Sequence, residues 1–340
     1  MSEQELIYRL LRGALQGQPA YLGTAPLDST AWWRLFQLSQ HNHVTALTAD
    51  TVASLDISRE VLIPWLTEKE KTIDWHRQQQ EVQQEIVNAM QQHGIDTLVL
   101  KGTHVAQYWP QPEAREFGDL DLYFYDKHEE ADRVAREVLR VKVTNEAHHH
   151  SRYDYRGVTV ESHYDFVNRH YPPSNRRYEA MLKELCPSAT FEVLFLLRHM
   201  AGHFAASRIT LRDLVDWALT CRALQGQVDW TMVENTIAQY GMDTFARALG
   251  TIAEHHFDIP MPLTLHGPDR DIVSRLERDI VYGTVSDHAA DGMGRLSWKM
   301  RRWQALDWKR KLVYNDNPLS LTLTSLVSHA EKPRSILHKM

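Results

Sequence analysis

The run Gly118-Asp119-Leu120-Asp121-Leu122-Tyr123-Phe124 alternates polar and apolar residues with period two. Such a run is a half-buried strand, with Asp119, Asp121 and Tyr123 on one face and Leu120, Leu122 and Phe124 on the other. The apolar face must be covered by another layer. The acidic face sets a second constraint, because two carboxylates at i and i+2 repel each other unless a cation lies between them. Upstream, Thr97-Leu98-Val99-Leu100 reads as a short buried strand, and Lys101-Gly102 turns the chain into a helix over Thr103 to Tyr108, broken by Pro110 and Pro112. Downstream, Ala131, Val134, Ala135, Val138 and Leu139 recur at helical spacing over 128–140, a helix laid on the apolar face of the sheet. A hairpin follows. Its second limb, Gly157 to His163, places Glu161 and His163 on one face, opposite Val160 and Ser162.

The rest of the chain reads as helix. Few strand signals interrupt residues 3–93, where a long helix is expected to begin near Pro64 and end at Gly94. Helical spacing resumes at Phe191 and continues through the segments at 230–257 and 271–288. The expected fold is α+β and mostly helical. It has a helical region over 1–93, a small mixed-sheet core over 94–170 and a second helical region over 171–340. The 340 residues suit roughly two domains in one body.

Composition narrows the function classes. A net charge of −6 excludes a protein that grips nucleic acid over its whole surface. The two cysteines, Cys186 and Cys221, indicate neither a disulfide framework nor a thiolate zinc site, and fit a reducing cytoplasm. Glu3 and Glu5 stand where a signal peptide needs basic residues, and the apolar stretch Val193 to Leu197 is far short of a membrane span. A cytoplasmic protein with no integral membrane association is expected.

Asp119 and Asp121 ask for a metal, and hard carboxylate oxygens without cysteine suit Mg²⁺ or Mn²⁺. Glu161, on a second strand, is the natural third ligand. At the strand-to-helix turn, Gly102 lets the backbone approach a ligand, and free helix N–H groups there can hold a phosphate. Lys101 either adds a phosphate contact or is solvent-exposed. Arg115, four residues before Asp119, can reach a phosphate oxygen. A lone DxD is usually the wet face of an edge strand, and a lone Lys-Gly turn is weaker still. Their order and spacing carry the signal. His163 points into the same cleft as Glu161 or is a strand-surface histidine.

Other features read mainly as structure. His199 and His203, at i and i+4, lack the glutamate of a zinc-protease helix and read as core or helix-facing residues, although His203 or Arg212 could contact a nucleotide. Asp213 and Asp216 read as capping and as partners of Arg208 or Arg212. The run His148-His149-His150 reads as a solvated loop. Residues 297–311, with six Lys and Arg residues among Trp298, Trp303 and Trp308, read as a helix whose tryptophans pack inward while its basic face stays wet.

The stretch LVLKGTHVAQYWPQPEAREFGDLDLYF, residues 98–124, resembles the signature of the polymerase-beta-like nucleotidyltransferase superfamily, in particular its bacterial family of largely uncharacterised nucleotidyltransferases. VTVESHYDF at 158–166 is similar to the segment bearing the third acid and a following histidine, and ITLRDLVDWAL at 209–219 to a downstream helix of that family. The resemblance covers roughly residues 90–225. It implies that Asp119, Asp121 and Glu161 bind the catalytic metal, that Glu161 assists deprotonation of the attacking hydroxyl, and that Gly102 cradles a triphosphate such as ATP. Where the superfamily commonly has Gly-Ser or Gly-Gly, this chain has Gly102-Thr103, so Thr103 would replace the serine hydroxyl. The implied partners are a nucleoside triphosphate and an acceptor that is a small molecule, a sugar, RNA or protein. Two alternatives stay open: a nucleotide-sugar glycosyltransferase using the DxD, and an inactive nucleotidyltransferase fold serving as a binding module.

Overall fold

The computed structural model describes all residues except 24–26, 146–148, 264–266, 284, 286–294 and 332–340. Four helices come first: α1 (Glu3–Gln16), α2 (Ser29–His41), α3 (Thr45–Ala53) and α4 (Arg59–Gln92). The side chains of Ser2 and Asp28 accept the backbone N–H groups of Glu5 and Ala31, which would otherwise be orphaned at the starts of α1 and α2. α4 begins at Arg59 rather than near Pro64, and Pro64 sits inside its early turns. That position leaves only the carbonyl four residues back without its helical donor. The helix ends before His93 and Gly94, as expected, with Gly94 at φ +70°.

The sheet follows. β1 (Leu98–Val99) leads through α5 (Thr103–Ala106) to β2 (Asp119–Tyr123), and α6 (His128–Glu137) precedes the hairpin of β3 (His150–Tyr155) and β4 (Val158–His163). Arg156 and Gly157 both have positive φ, the conformation that matches a two-residue turn to strand twist. The spatial order is β1-β2-β4-β3. β2 and β4 run parallel, and the outer pairs are antiparallel. α5 is shorter than expected, ending at Ala106.

The alternation of β2 plays out as read. Leu120, Leu122 and Phe124 pack with Val158 and Val160 against Val82, Ile86 and Met90 of α4 and Ala131, Val134 and Ala135 of α6, forming one apolar core. Val138 departs from the expectation: α6 stops at Glu137, and Val138 is 45% exposed. On the opposite face Tyr123 packs on Phe166, with ring centroids 4.2 Å apart, and joins a larger core.

That larger core belongs to both helical regions at once. It runs from Leu6 and Leu10 of α1 to Leu321 and draws on α7 (Asn175–Leu185), α8 (Ala189–Ala206), α9 (Leu211–Ala223), α10 (Trp230–Gln239), α11 (Asp243–Ile252) and α12 (Arg270–Tyr282). Three further helices, α13 (Arg295–Ala305), α14 (Asp307–Val313) and α15 (Pro318–Glu331), complete the chain. The fold is α+β and mostly helical, with one small mixed sheet. Among the described residues no helix is long and apolar enough to cross a membrane.

The basic segment over 297–311 departs in part from its expected arrangement: Arg301 and Lys311 are exposed and Trp308 packs against the core, as read, but other residues do not follow. Lys309 is fully buried against Asp279, and Arg302 and Arg310 are buried as well, whereas Trp303 is 38% exposed. A guanidinium or ammonium can be buried here because carbonyl oxygens accept its hydrogen bonds. Arg302 donates to Ala206 O at 2.8 Å and Lys309 to Ser207 O at 2.5 Å, both at the end of α8. Arg310 lies over the Trp303 ring at 3.7 Å, a cation–π contact.

Candidate active site

Parallel pairing of β2 with β4 sets Asp121 directly beside Glu161 and Tyr123 beside His163. Antiparallel pairing of β4 with β3 then brings His150 opposite His163. Because side chains alternate, Asp121, Glu161, His163 and His150 share one face, while Val160 enters the core behind.

Asp121 is almost wholly buried and has a cationic partner on each oxygen. Lys101 Nζ lies 3.0 Å from Oδ2, and His163 Nε2 donates to Oδ1 at 2.9 Å. Lys101 also donates to His199 Nε2 at 3.1 Å. Its side chain is 15% exposed, which excludes the solvent-exposed reading. His163 is not a surface histidine either; its Nε2 also stands 3.6 Å from Glu161 Oε2. His150 Nε2 lies 3.5 Å from Glu161 Oε1.

His149 and His150 correct an expectation, since they were read as solvated. β3 already begins at His150, and the Tyr164 N–H donates to His149 O at 3.0 Å, so both rings are drawn onto the site face. His148 lies outside the described residues. A run of three histidines before a strand gives no period from which this could be read.

Electrostatics follow the geometry. Burial alone would push the Asp121 carboxyl toward its neutral form. The Lys101 ammonium and the His163 hydrogen bond outweigh it and hold the carboxyl well below its usual range. Glu161 is likewise lowered: burial opposes this, but the hydrogen bond from His163 and the charge of His150 prevail. For His163 burial disfavours the cation, yet hydrogen bonds to Asp121 and Glu161 raise it to about 9. Lys101 is held charged against its burial by Asp121, then Asp119 and Glu161.

A pocket opens beside these carboxylates. Lys101, Gly102, Arg115, Phe117, Asp119 and Asp121 form one side, and residues of α8 and α9, including His199 and Arg212, form the other. Gly102 has φ +62° and ψ −120°, a conformation that suits glycine, as it turns β1 into α5. The Thr103 hydroxyl donates to Gln83 Oε1 of α4. Arg115 is buried and forked onto Asp216, through Nε to Oδ1 at 2.8 Å and Nη2 to Oδ2 at 2.7 Å. Trp109 Nε1 donates to the same carboxylate at 2.8 Å. Asp216 thus pairs with Arg115 rather than Arg208 or Arg212. Asp213 caps α9 by accepting the Thr210 N–H at 2.8 Å and pairs with Arg212 at 3.0 Å, as expected.

Two donors in this pocket wall have no hydrogen-bond partner among the described residues: Arg115 Nη1 and Arg212 Nε, both buried. Unpaired buried N–H groups are costly, so a wall that keeps two of them suits an anion. His203 is not part of the wall. Its ring lies 4.4 Å from that of His199, which is. The i, i+4 spacing marked the pair, but the helix phase that chose between them comes from packing.

Among the described residues the ligand atoms of Asp121, Glu161 and His163 converge, all within 4.8 Å of one another, as do those of His149, His150 and His163. Asp119 is outside both groups and lines the pocket instead. A family described as uncharacterised nucleotidyltransferases matches residues 28–258. The chain belongs to that family. No curated protein and no solved structure matches it. The matched span contains α2 to α11 and the whole sheet, so every site residue named above lies in the nucleotidyltransferase part of the chain, with α1 and α12–α15 outside.

Proposed function

We propose that this nucleotidyltransferase moves a nucleoside monophosphate from a nucleoside triphosphate such as ATP to an acceptor hydroxyl, with Mg²⁺ or Mn²⁺ as cofactor. The acceptor oxygen attacks the α-phosphorus, and the bond to the departing pyrophosphate breaks. The observation that carries the reading is the pocket in which Lys101, Gly102, Arg115 and Arg212 adjoin Asp119 and Asp121, with two buried guanidinium nitrogens unbonded. Arg115 Nη1 and Arg212 Nε bind phosphate oxygens, Gly102 admits them to the backbone, and Lys101 supplies a further positive charge.

The donor set fits a hard divalent ion. Asp121 and Glu161 are kept ionised by cationic neighbours, and an ion would take over the charge that Lys101 and His163 now supply. The imidazole of His163 beside two carboxylates favours Mn²⁺ somewhat over Mg²⁺. When bound, divalent ions supply neutralisation of charge on the attacking and leaving oxygens. Asp119, which lines the pocket, orients the triphosphate end of that assembly. Glu161, held low, is a weak base, so cation holding is the larger part of its role. The glycosyltransferase alternative has less support, because among the described residues a two-residue strand is all of the sheet that precedes the Asp119-Asp121 motif.

The decisive experiment incubates the protein with each of the four α-labelled nucleoside triphosphates and Mg²⁺ or Mn²⁺, alone and with cell extract. Label on a small molecule, a sugar, RNA or protein names the acceptor class, and Asp119→Asn and Asp121→Asn should each abolish transfer. Transfer that persists in both variants overturns the assignment. Metal-dependent triphosphate binding without any transfer would favour the inactive binding module.

A further inference from the structure

Next to the carboxylates lies a second cluster of a different chemistry. His149 precedes β3, His150 opens it, and His163 closes β4, paired across the strands with His150. One ring nitrogen from each of the three lies within 4.8 Å of the other two. The ring centroids are 4.6 Å apart for His149 and His150, 5.2 Å for His150 and His163, and 5.7 Å for His149 and His163. Glu161 reaches toward the same group, 3.5 Å from His150 Nε2 and 3.6 Å from His163 Nε2.

An independent feature points to a ligand. His163 is buried, its Nε2 is committed to Asp121, and its Nδ1 is buried with no hydrogen-bond partner among the described residues. A carboxylate on one imidazole nitrogen that leaves the other for an ion is the usual outer support of a metal-binding histidine. Three imidazoles and one carboxylate, with no thiolate, form a borderline donor set that suits Zn²⁺ and disfavours Mg²⁺. The ligand nitrogens of a tetrahedral zinc stand roughly 3.4 Å apart, and those of the three histidines already lie within 4.8 Å of one another.

We propose that His149, His150 and His163, with Glu161 as the oxygen ligand, form a binding site for a borderline transition-metal ion such as Zn²⁺, distinct from the hard-ion site at Asp121. Glu161 and His163 are common to the two, His163 facing Asp121 through Nε2 and the imidazole site through Nδ1, so an ion in the imidazole site restrains both side chains beside Asp121.

The test needs no nucleotide, so its outcome is separate from that of the transferase assignment. Chelator-treated full-length protein is titrated with Zn²⁺ by calorimetry. One ion per chain should bind more tightly than Mg²⁺, His149→Asn and His150→Asn should each weaken it by at least about tenfold, and Asp119→Asn should leave it unchanged. Co²⁺ added to the unsubstituted protein should give the intense visible absorption of a low-coordinate, nitrogen-bound ion, a readout that stands even if a variant fails to fold. Absence of tight Zn²⁺ binding, Zn²⁺ affinity unaltered by both histidine variants, or the weak spectrum of six-coordinate Co²⁺ overturns the proposal.

Discussion

Asp216 of α9 accepts from Trp109 Nε1 and from two nitrogens of Arg115, and all three residues are buried. Its carboxylate fixes the loop between α5 and β2 against α9. Asp216→Ala leaves the Arg115 charge buried and uncompensated, and should cost about 3–5 kcal/mol in denaturant unfolding. A loss below about 1 kcal/mol would mean that the guanidinium finds water or another acceptor. Glu179 behaves oppositely. Burial pushes its carboxyl up to about 7 despite the Val167 N–H donated to Oε2 at 3.0 Å, and its Oε1 has no partner among the described residues. Between its ordinary value and about 7 the unfolded chain releases the proton while the folded chain keeps it, so stability falls as pH rises through that window. Glu179→Gln should flatten this part of the stability–pH curve and be the more stable protein at pH about 8, by up to about 3 kcal/mol. Equal slopes in both proteins would show that Glu179 does not carry the effect. At this scale the sequence was legible only in part. Period two placed Asp119 and Asp121 on one face of their strand and Glu161 and His163 on one face of theirs, while His163 was left between a site and a surface reading. The partners of Arg115 and Asp216 lie 101 positions apart, and no spacing rule reaches that far.

At the scale of elements, the turn from β1 into α5 depends on Gly102. A Cβ there would meet Phe117 at an ordinary 3.6 Å, so the obstacle to a larger residue is the backbone at φ +62° and not a clash. Gly102→Ala should cost about 1–3 kcal/mol and weaken triphosphate binding more than it lowers the melting temperature. Melting and nucleotide titration of the same samples check this. Strand faces were read correctly because one buried face fixes the whole register. Element ends were read less well. α4 extends upstream past Pro64, which a helix tolerates near its start, and α6 stops before the apolar Val138. The hairpin was legible from the alternation of its second limb, whereas the side to which His149 and His150 turn depends on pairing with a strand not yet laid down.

At the scale of the whole molecule, Lys309 of α14, Asp279 of α12 and the carbonyl of Ser207 at the end of α8 join three helices distant in sequence. Lys309→Met removes the ammonium held against the buried Asp279 and should destabilise by about 3–5 kcal/mol, while Lys309→Met combined with Asp279→Leu should recover most of that loss, as urea unfolding of the set will show. A double variant no better than the single would place the importance of Lys309 in its carbonyl contact. The basic, tryptophan-containing segment misled because composition does not say which side of a helix faces in, and long cationic side chains can be buried whenever carbonyls and a carboxylate meet them.

α4 touches the start of α5 and the entry to β2, which bound one side of the pocket, and the β3–β4 hairpin. Trp75 donates to Phe117 O and Gln79 to Gly118 O at the entry to β2, Gln83 accepts from Thr103, Gln78 donates to Arg156 O, and Glu85 accepts from Tyr155. These contacts fall within about three turns of one rod some 50 Å long. The Gly102 turn, the acid-bearing strand and the histidine hairpin are therefore all aligned to a common datum. Small errors in α4 shift them together, so their mutual spacing survives disturbances that would scramble a site assembled loop against loop.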